Sequence, residues 1–171
     1  MNKSSAQRVI NNKKIQHFGF KTTDKDEIDR RKLRAELENL ELIPLEKDHP
    51  IFGTFEVFSK EKINRYIVEI RSLSDLENSC ECLDFETNGL GTCKHIEKVR
   101  TYLEKKHERL LEKAKEHGSS RIEIFLVRKC KAEIKIKYPK LPSENTKLVS
   151  CYFSNSDTLL GNPLYAIPSL K

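Results

Sequence analysis

The spacing of apolar residues predicts helices and strands in the first half of the chain. Apolar residues recur at near-helical intervals over residues 24–39, after a Thr23–Asp24 pair that can cap a helix. Leu40 and Leu42 continue that spacing, and Pro44 starts a predicted loop. Residues 51–58 and 65–70 are two β-rich runs with a polar turn between them, so we expect a hairpin there.

The second half repeats this order of helix and hairpin. A helical apolar stripe extends over residues 93–117, in which we expect His107 to be a half-buried packing residue. Apolar and polar residues then alternate over 122–126 and 132–138, which predicts a second hairpin with a basic turn. The whole pattern predicts an α+β fold: a small antiparallel sheet, an N-terminal helix, a long helix and a second β-hairpin after it.

The same pattern divides the chain into four segments. Residues 1–23 carry basic residues and no acidic one, so we expect a basic, flexible lead-in. Residues 24–63 hold the first helix and first strand, and residues 64–106 hold the second strand, a cysteine-rich stretch and the start of the long helix. Residues 107–171 hold the rest of that helix, the second hairpin and an apolar tail, which we interpret as a linker toward a missing C-terminal region.

Charge adds a class of partner to this picture. The chain has 171 residues, with 32 Lys and Arg against 26 Asp and Glu, and a net charge of +6. Such basicity favours polyanionic partners, DNA or RNA, although mild basicity also serves only to keep a protein in solution. No apolar run approaches the roughly 20 residues of a membrane-spanning helix, so no membrane partner is expected.

The candidate chemistry lies in residues 80–95. Cys80 and Cys82 form a Cys-x-Cys pair, and Cys93 and His95 form a Cys-x-His pair. Three thiolates and one imidazole make the complete ligand set of a tetrahedral structural zinc site. The N-terminus has no apolar core typical of a secretory signal, and a reduced cytoplasmic setting favours metal over disulfides. We therefore predict one structural zinc ion at these four residues.

The surroundings of the predicted site agree with this interpretation. A site with three thiolates and one histidine has a net charge of −1 with zinc bound, and Lys94 and the helix N-terminus both favour that charge. Iron–sulfur clusters usually require four thiolates, so they fit poorly. Cys130 and Cys151 lie far away in sequence and lack paired neighbours, and we interpret both as free thiols.

The order of the four ligands resembles the SWIM zinc finger. Residues 66–70 are similar to the strand that precedes the first cysteine pair in that family, and Asp84 and Phe85 match its usual continuation. Ile96 and Val99 resemble the apolar start of its closing helix. The resemblance identifies residues 64–106 as a SWIM-type finger and implies a β-β-zinc knuckle-α unit within the predicted fold.

A wider and less specific resemblance covers most of residues 30–171. The order of strands, finger, long helix and strand is similar to the N-terminal region of bacterial SWI/SNF-type (DEAD/DEAH-box) ATP-dependent helicases, where it precedes the motor. This implies a location in the bacterial cytosol or nucleoid and a helicase motor as partner. The chain has no Gly-x-x-x-x-Gly-Lys-[Ser/Thr] phosphate loop, and none of its six glycines precedes a lysine. We therefore expect it not to be an enzyme.

Two functions remain open, and a third is disfavoured. The chain is either a zinc-dependent nucleic-acid-binding accessory module or a protein-docking module that a structural zinc stabilises. A zinc hydrolase is disfavoured because four protein ligands leave no coordination position for water. The candidate phosphate-binding residues lie on the long helix beside the finger and are Lys94, Lys98, Arg100, Lys105, Lys106 and Arg109.

Overall fold

The computed structural model describes residues 22–59, 63–74, 77–128, 132–139 and 143–161, which form a mixed α+β structure as predicted. Its elements in chain order are α1 (Asp24–Leu37), β1 (Leu40–Pro44), β2 (Thr54–Ser59), β3 (Arg65–Glu69), β4 (Ser79–Cys80), α2 (Leu83–Asn88), α3 (Lys94–Lys106), α4 (Glu108–His117), β5 (Glu123–Arg128), β6 (Ala132–Lys137) and α5 (Ser143–Tyr152). No helix in these described ranges is long and apolar enough to cross a membrane.

The predicted N-terminal helix is confirmed and begins with a complete capping box. The Thr23 side chain accepts a hydrogen bond from the backbone N–H of Asp26, and the Asp26 carboxylate accepts one from the backbone N–H of Thr23 at 2.9 Å. Hydrogen bonds from the Thr23 hydroxyl, at 2.7 Å, and from the Thr23 backbone N–H lower the pKa of the Asp26 carboxyl. The helix ends at Leu37 rather than Asn39, because Glu38 has an extended backbone.

Four antiparallel strands form the main sheet in the order β1-β2-β3-β4. The first predicted hairpin is confirmed as β2–β3. The prediction for Leu40, Leu42 and Pro44 was wrong, since they form β1 rather than a helix end and a loop. Leu42 lies opposite Val57, and Pro44 is the last residue of an edge strand, where a missing N–H disturbs the ladder least.

The core lies between this sheet and α3. Five aliphatic side chains are completely buried there: Val57 and Val68 from the sheet, and Ile96, Val99 and Leu103 from α3. Burying each of them stabilises the fold by about 1.5–3 kcal/mol. This packing places the first turn of α3 against β3 and β4, the region that contains the predicted metal ligands.

The predicted long helix is interrupted at His107, so the prediction of one continuous helix was wrong at this point. His107 has φ −128° and ψ 29°, and it separates α3 from α4. Its N–H still donates to the carbonyl of Leu103, and its carbonyl accepts from the N–H of Leu111. Its half-buried ring packs edge-on against Tyr102, as expected for a packing residue. The bend lets Leu103 and Leu111 enter the same core from two helix directions.

The second predicted hairpin is confirmed as β5–β6, with Ile124 opposite Ile136. The outer edge of β6 is covered by the segment after α5, where the N–H of Leu159 donates to the carbonyl of Ile134 at 2.8 Å. The turn that contains Cys130 lies outside the described residues, as do residues 1–21 of the lead-in and the tail from residue 162. The division into four segments stays a prediction.

A methyl group at Gly53 is expected to destabilise the loop between β1 and β2. A Cβ at this buried position would lie 2.4 Å from the backbone carbonyl oxygen of His49. We expect Gly53→Ala to lower the free energy of unfolding by about 1–3 kcal/mol, measured by urea denaturation.

Gly118→Ala is the matched control. Its Cβ would have open space around it, so any loss of about 1–3 kcal/mol would come from its backbone conformation alone, with φ 72° and ψ −166°. A Gly53→Ala variant as stable as the unchanged protein would show that the backbone contact at His49 does not exist.

Candidate metal centre

Three elements bring the predicted ligands together. Cys80 is the last residue of β4, Cys82 is the N-cap of α2, Cys93 is the N-cap of α3, and His95 lies in the first turn of α3. Cys80 is fixed to the main sheet because it pairs with Val68 of β3. Each ligand therefore comes from the end of a regular element, where the backbone direction is well defined.

The geometry fits a single tetrahedral metal ion. The three sulfurs and one ring nitrogen all lie within 4.8 Å of one another. The Nδ1 atom of His95 is 3.6 Å from the Sγ of Cys80 and 4.0 Å from the Sγ of Cys93. Tetrahedral zinc with bonds of about 2.0–2.3 Å separates its ligand atoms by roughly 3.5–3.8 Å. All four residues are at least 95% buried, so the site is closed to solvent.

The electrostatics of the site favour a bound cation. Contact with the sulfurs of Cys82 and Cys93, together with burial, raises the pKa of the Cys80 thiol far above its ordinary value. Hydrogen bonds from the neighbouring thiols and from the backbone N–H of Phe85 lower the pKa of Cys82. Three buried thiols this close cannot all ionise without compensating charge, and a bound dication supplies that charge.

An aromatic ring stacks on the histidine ligand. The ring of Tyr66 lies 4.5 Å from the ring of His95, with 24° between their planes. Because Tyr66 belongs to β3, the stack ties the imidazole orientation to the main sheet. The alternation of residues along β3 is enough to predict that Tyr66 lies on the same face as Val68. It does not predict the contact with His95, which no sequence pattern indicates.

A buried hydrogen-bond network supports the start of α3. The hydroxyl of the fully buried Thr92 donates to the carboxylate of Glu97 at 2.6 Å. Arg100 lies 3.5 Å from the same carboxylate and donates to the carbonyl of Leu73 at 2.8 Å. The network neutralises a buried carboxylate and fixes the residue that precedes Cys93. None of these residues was predicted to support the site, because no local sequence pattern pairs Thr92 with Glu97 or Arg100 with Leu73.

The connection between the two ligand pairs turns, as its glycines predict, but also contains the unpredicted helix α2. The Cys82 side chain accepts the backbone N–H of Phe85 at 3.4 Å and so caps this helix. Gly89 ends it with φ 66°, a conformation that favours glycine. Because Cys82 both caps this helix and belongs to the candidate metal site, it couples the short helix to the site.

Two ion pairs attach α1 to the helices that carry the ligands. Arg31 binds the carboxylate of Asp84 in α2 through two nitrogens, at 2.6 and 3.1 Å. Lys94 of α3 pairs with Glu38 after α1. Partial burial alone would raise the pKa of the Glu38 carboxyl. The hydrogen bonds from Lys94 and Arg34 outweigh this effect and lower the pKa below its ordinary value. The Lys94 charge, expected to act on the metal site, is thus already paired with a carboxylate.

Three of the six candidate phosphate-binding residues are engaged within the protein. Lys94 and Arg100 form the ion pairs described above, and both are largely buried. The Nζ of Lys106 lies 5.5 Å above the ring of Tyr102. The two ion pairs offset the charges of Lys94 and Arg100, whereas the ring contact holds the exposed Lys106 beside Tyr102 without neutralising it.

The other three candidates are available. Lys98, Lys105 and Arg109 form no ion pair with another described residue. On α3 the spacing of Lys94, Lys98 and Lys105 places them along one face, and Arg100 lies on the opposite side. The structure thus leaves Lys98, Lys105 and Arg109 without an ion pair in the described residues, whereas Lys94 and Arg100 are paired within the protein.

In comparisons with known proteins, no family model, curated protein or solved structure matches the chain. The functional assignment therefore rests on the chain's own residues. The strongest of these observations is the buried group of three cysteines and one histidine.

Removal of one ligand is expected to release the metal and destabilise the site. We expect one metal ion per chain, identified as zinc by elemental analysis, and its loss in Cys82→Ser. The variant should also lose several kcal/mol of stability, up to ~10 as in small zinc domains. Because ligands must be deprotonated, the affinity should fall as the solution is acidified.

Cys151→Ser is the matched control, since Cys151 is an exposed free cysteine outside the site. It should keep its metal and its thermal stability. A reduced, folded, unaltered protein that contains no metal would contradict the site.

Loss of the Tyr66 ring is expected to weaken metal binding without abolishing it. An aromatic stack contributes about 0.5–1.5 kcal/mol, which corresponds to a roughly two- to tenfold weaker affinity for Tyr66→Ala. Competition with a chelator measures this change. Tyr66→Phe keeps the ring and should bind nearly as tightly, so an equal loss in both variants would argue against a role for stacking.

Proposed function

We propose that this chain is a SWIM-type zinc module in which one structural zinc ion is held by Cys80, Cys82, Cys93 and His95. The observation that carries this proposal is the closed donor set: three sulfurs and one nitrogen, all buried and within 4.8 Å of one another. Sulfur and imidazole nitrogen in this ratio are typical of structural zinc. Four protein ligands leave no position for a reactive water, which supports a non-catalytic role.

The position of the site supports a structural role for the ion. Its ligands connect the edge of the main sheet to the N-termini of two helices. A bound ion would hold α2 and the first turn of α3 in place beside β4. In this proposal the module's surfaces keep their shape because the metal fixes the elements that form them.

We further propose that the outer face of α3 binds nucleic acid. The protein has a net charge of +6, and Lys98 and Lys105 on this face form no ion pair with another described residue. Arg109 at the start of α4 extends the basic surface. The basic side chains suit phosphate, and no base-reading arrangement accompanies them. Binding should therefore be weak, independent of sequence and sensitive to salt.

The resemblance to SWI/SNF-type helicases suggests where such a module would act. In this proposal these 171 residues are an accessory region that acts beside an ATP-dependent motor. The sequence contains no phosphate-binding loop, which supports the assignment of nucleotide hydrolysis to the motor and not to these residues.

Charge reversal on the outer face of α3 is expected to weaken binding to random duplex DNA. Lys98→Glu with Lys105→Glu should lower the affinity of the zinc-loaded protein for all sequences alike. The slope of log affinity against log salt should fall by about two units, roughly one per lost phosphate contact. Fluorescence anisotropy over a series of salt concentrations measures both quantities.

Lys25→Glu with Lys47→Glu is the matched control, because both lysines are exposed, belong to neither α3 nor α4 and change the net charge equally. It should leave most of the affinity intact. Equal losses in the two double variants, or no binding at low salt, would refute a specific surface on α3.

A further inference from the structure

We propose that a groove between the metal centre and the second hairpin binds an extended peptide segment with alternating basic and apolar side chains. The groove has a volume of about 630 Å³. One wall consists of residues 77–81, which include β4, together with α2 and the glycines after it. The other wall is residues 124–127 of β5.

Both walls are edges of β-strands. Consecutive residues line the groove on each side, and consecutive strand residues point to opposite faces of a sheet. Consecutive residues of a strand can therefore line the same groove only along the edge of the strand, where their backbones face it. In the described part of the chain, β4 pairs only with β3 and β5 pairs only with β6. Each strand therefore turns unpaired backbone groups toward the groove, as strand addition requires.

A buried side-chain donor on the wall lacks an acceptor. Asn78 is only 3% exposed, and its Oδ1 accepts the backbone N–H groups of Arg71 and Ser72 at 2.9 and 3.0 Å. Its amide is thereby fixed, and its Nδ2 has no hydrogen-bond partner among the described residues. An unsatisfied buried donor costs about 1–3 kcal/mol, and this nitrogen is closed to solvent, so Asn78 serves to hold the chain that enters β4 in place.

The charge of the groove selects basic side chains. Some of its charges are already paired within the protein: Glu69 with Arg71, and Glu77 with Lys135 and Lys137. Glu81 and Glu86 are exposed and form no ion pair with another described residue. Their carboxylates attract Lys or Arg and repel phosphate, although the protein as a whole is basic.

Apolar side chains supply the second half of the recognition. Ile124 and Leu126 remain 42% and 47% exposed on β5, and Phe85 lines the opposite wall. Gly89 and Gly91 have no side chains that could close the rim. An extended segment that alternates basic and apolar residues would direct one set toward the carboxylates and the other toward these side chains.

This proposal requires the metal-loaded fold, because Cys80 belongs to the groove wall, but it does not require nucleic-acid binding by α3. The test uses the complete zinc-loaded chain. The probe is a fluorescent peptide of sequence Lys-Val-Lys-Val-Lys-Val, and its counterpart with Glu in place of Lys serves as the charge control. Binding of the basic peptide alone is expected. Equal binding of both peptides, or binding of neither, would overturn the proposal.

The groove is tested by neutralising Glu81 and Glu86, the two carboxylates on its walls that form no ion pair with another described residue. Glu81→Gln with Glu86→Gln should weaken binding of the basic peptide roughly fivefold. Glutamine at position 81 keeps the oxygen that accepts the backbone N–H of Ile67. Glu104→Gln with Glu108→Gln changes two exposed carboxylates on α3 and α4 and should have no effect. Equal losses in both pairs, with zinc content unchanged, would overturn the site.

Strand addition is tested by amide hydrogen exchange. The basic peptide should slow exchange at Ser79–Cys80 or within residues 124–127, and a peptide with N-methylated backbone amides should not. Protection confined to other elements would overturn the proposal. Duplex DNA that protects these same amides would assign the groove to nucleic acid and overturn it equally.

Discussion

Closure of four ligand side chains around one point is the constraint on which the neighbouring structure depends. β4 has two residues and α2 has six, and isolated elements of these lengths have little stability in water. Both begin or end at a metal ligand. The same closure puts the N-terminus of α3 against the sheet, where its aliphatic side chains complete the core. A metal ion held by these four side chains would supply the local stability that these short elements lack.

The predictable features of this chain are those that short stretches of sequence determine. Ligand type and spacing identified Cys80, Cys82, Cys93 and His95, and alternation located the two hairpins. β1 was missed because Leu40 and Leu42 fit a helical spacing as well as a strand, and only pairing with β2 decides between them. The bend at His107 follows from the direction of the core around Leu111, which no local pattern contains.

Charge shows the same difference between composition and structure. The sequence contains a run of basic residues beside the metal site, but it does not show which of them have partners. Glu38 forms an ion pair with Lys94, and Glu97 forms one with Arg100. The basic surface of α3 therefore contains fewer available charges than the number of its Lys and Arg residues indicates. The carboxylates of Glu81 and Glu86, which form no ion pair within the described part of the chain, meanwhile give one groove a charge opposite to that of the protein. Pairing, rather than net charge, therefore defines what each surface can attract.

The separation of contacts along the chain implies an order of folding. Cys80 and His95 are 15 positions apart, whereas Arg31 and Asp84 are 53 positions apart. The entropy lost on closing a loop grows with its length, so the metal knuckle should form before α1 docks on it. Because α1 precedes all four ligands along the chain, it would be synthesised before them and would dock only after they have come together. During translation, metal capture becomes possible once residue 95 is free, and α1 has no docking surface until then.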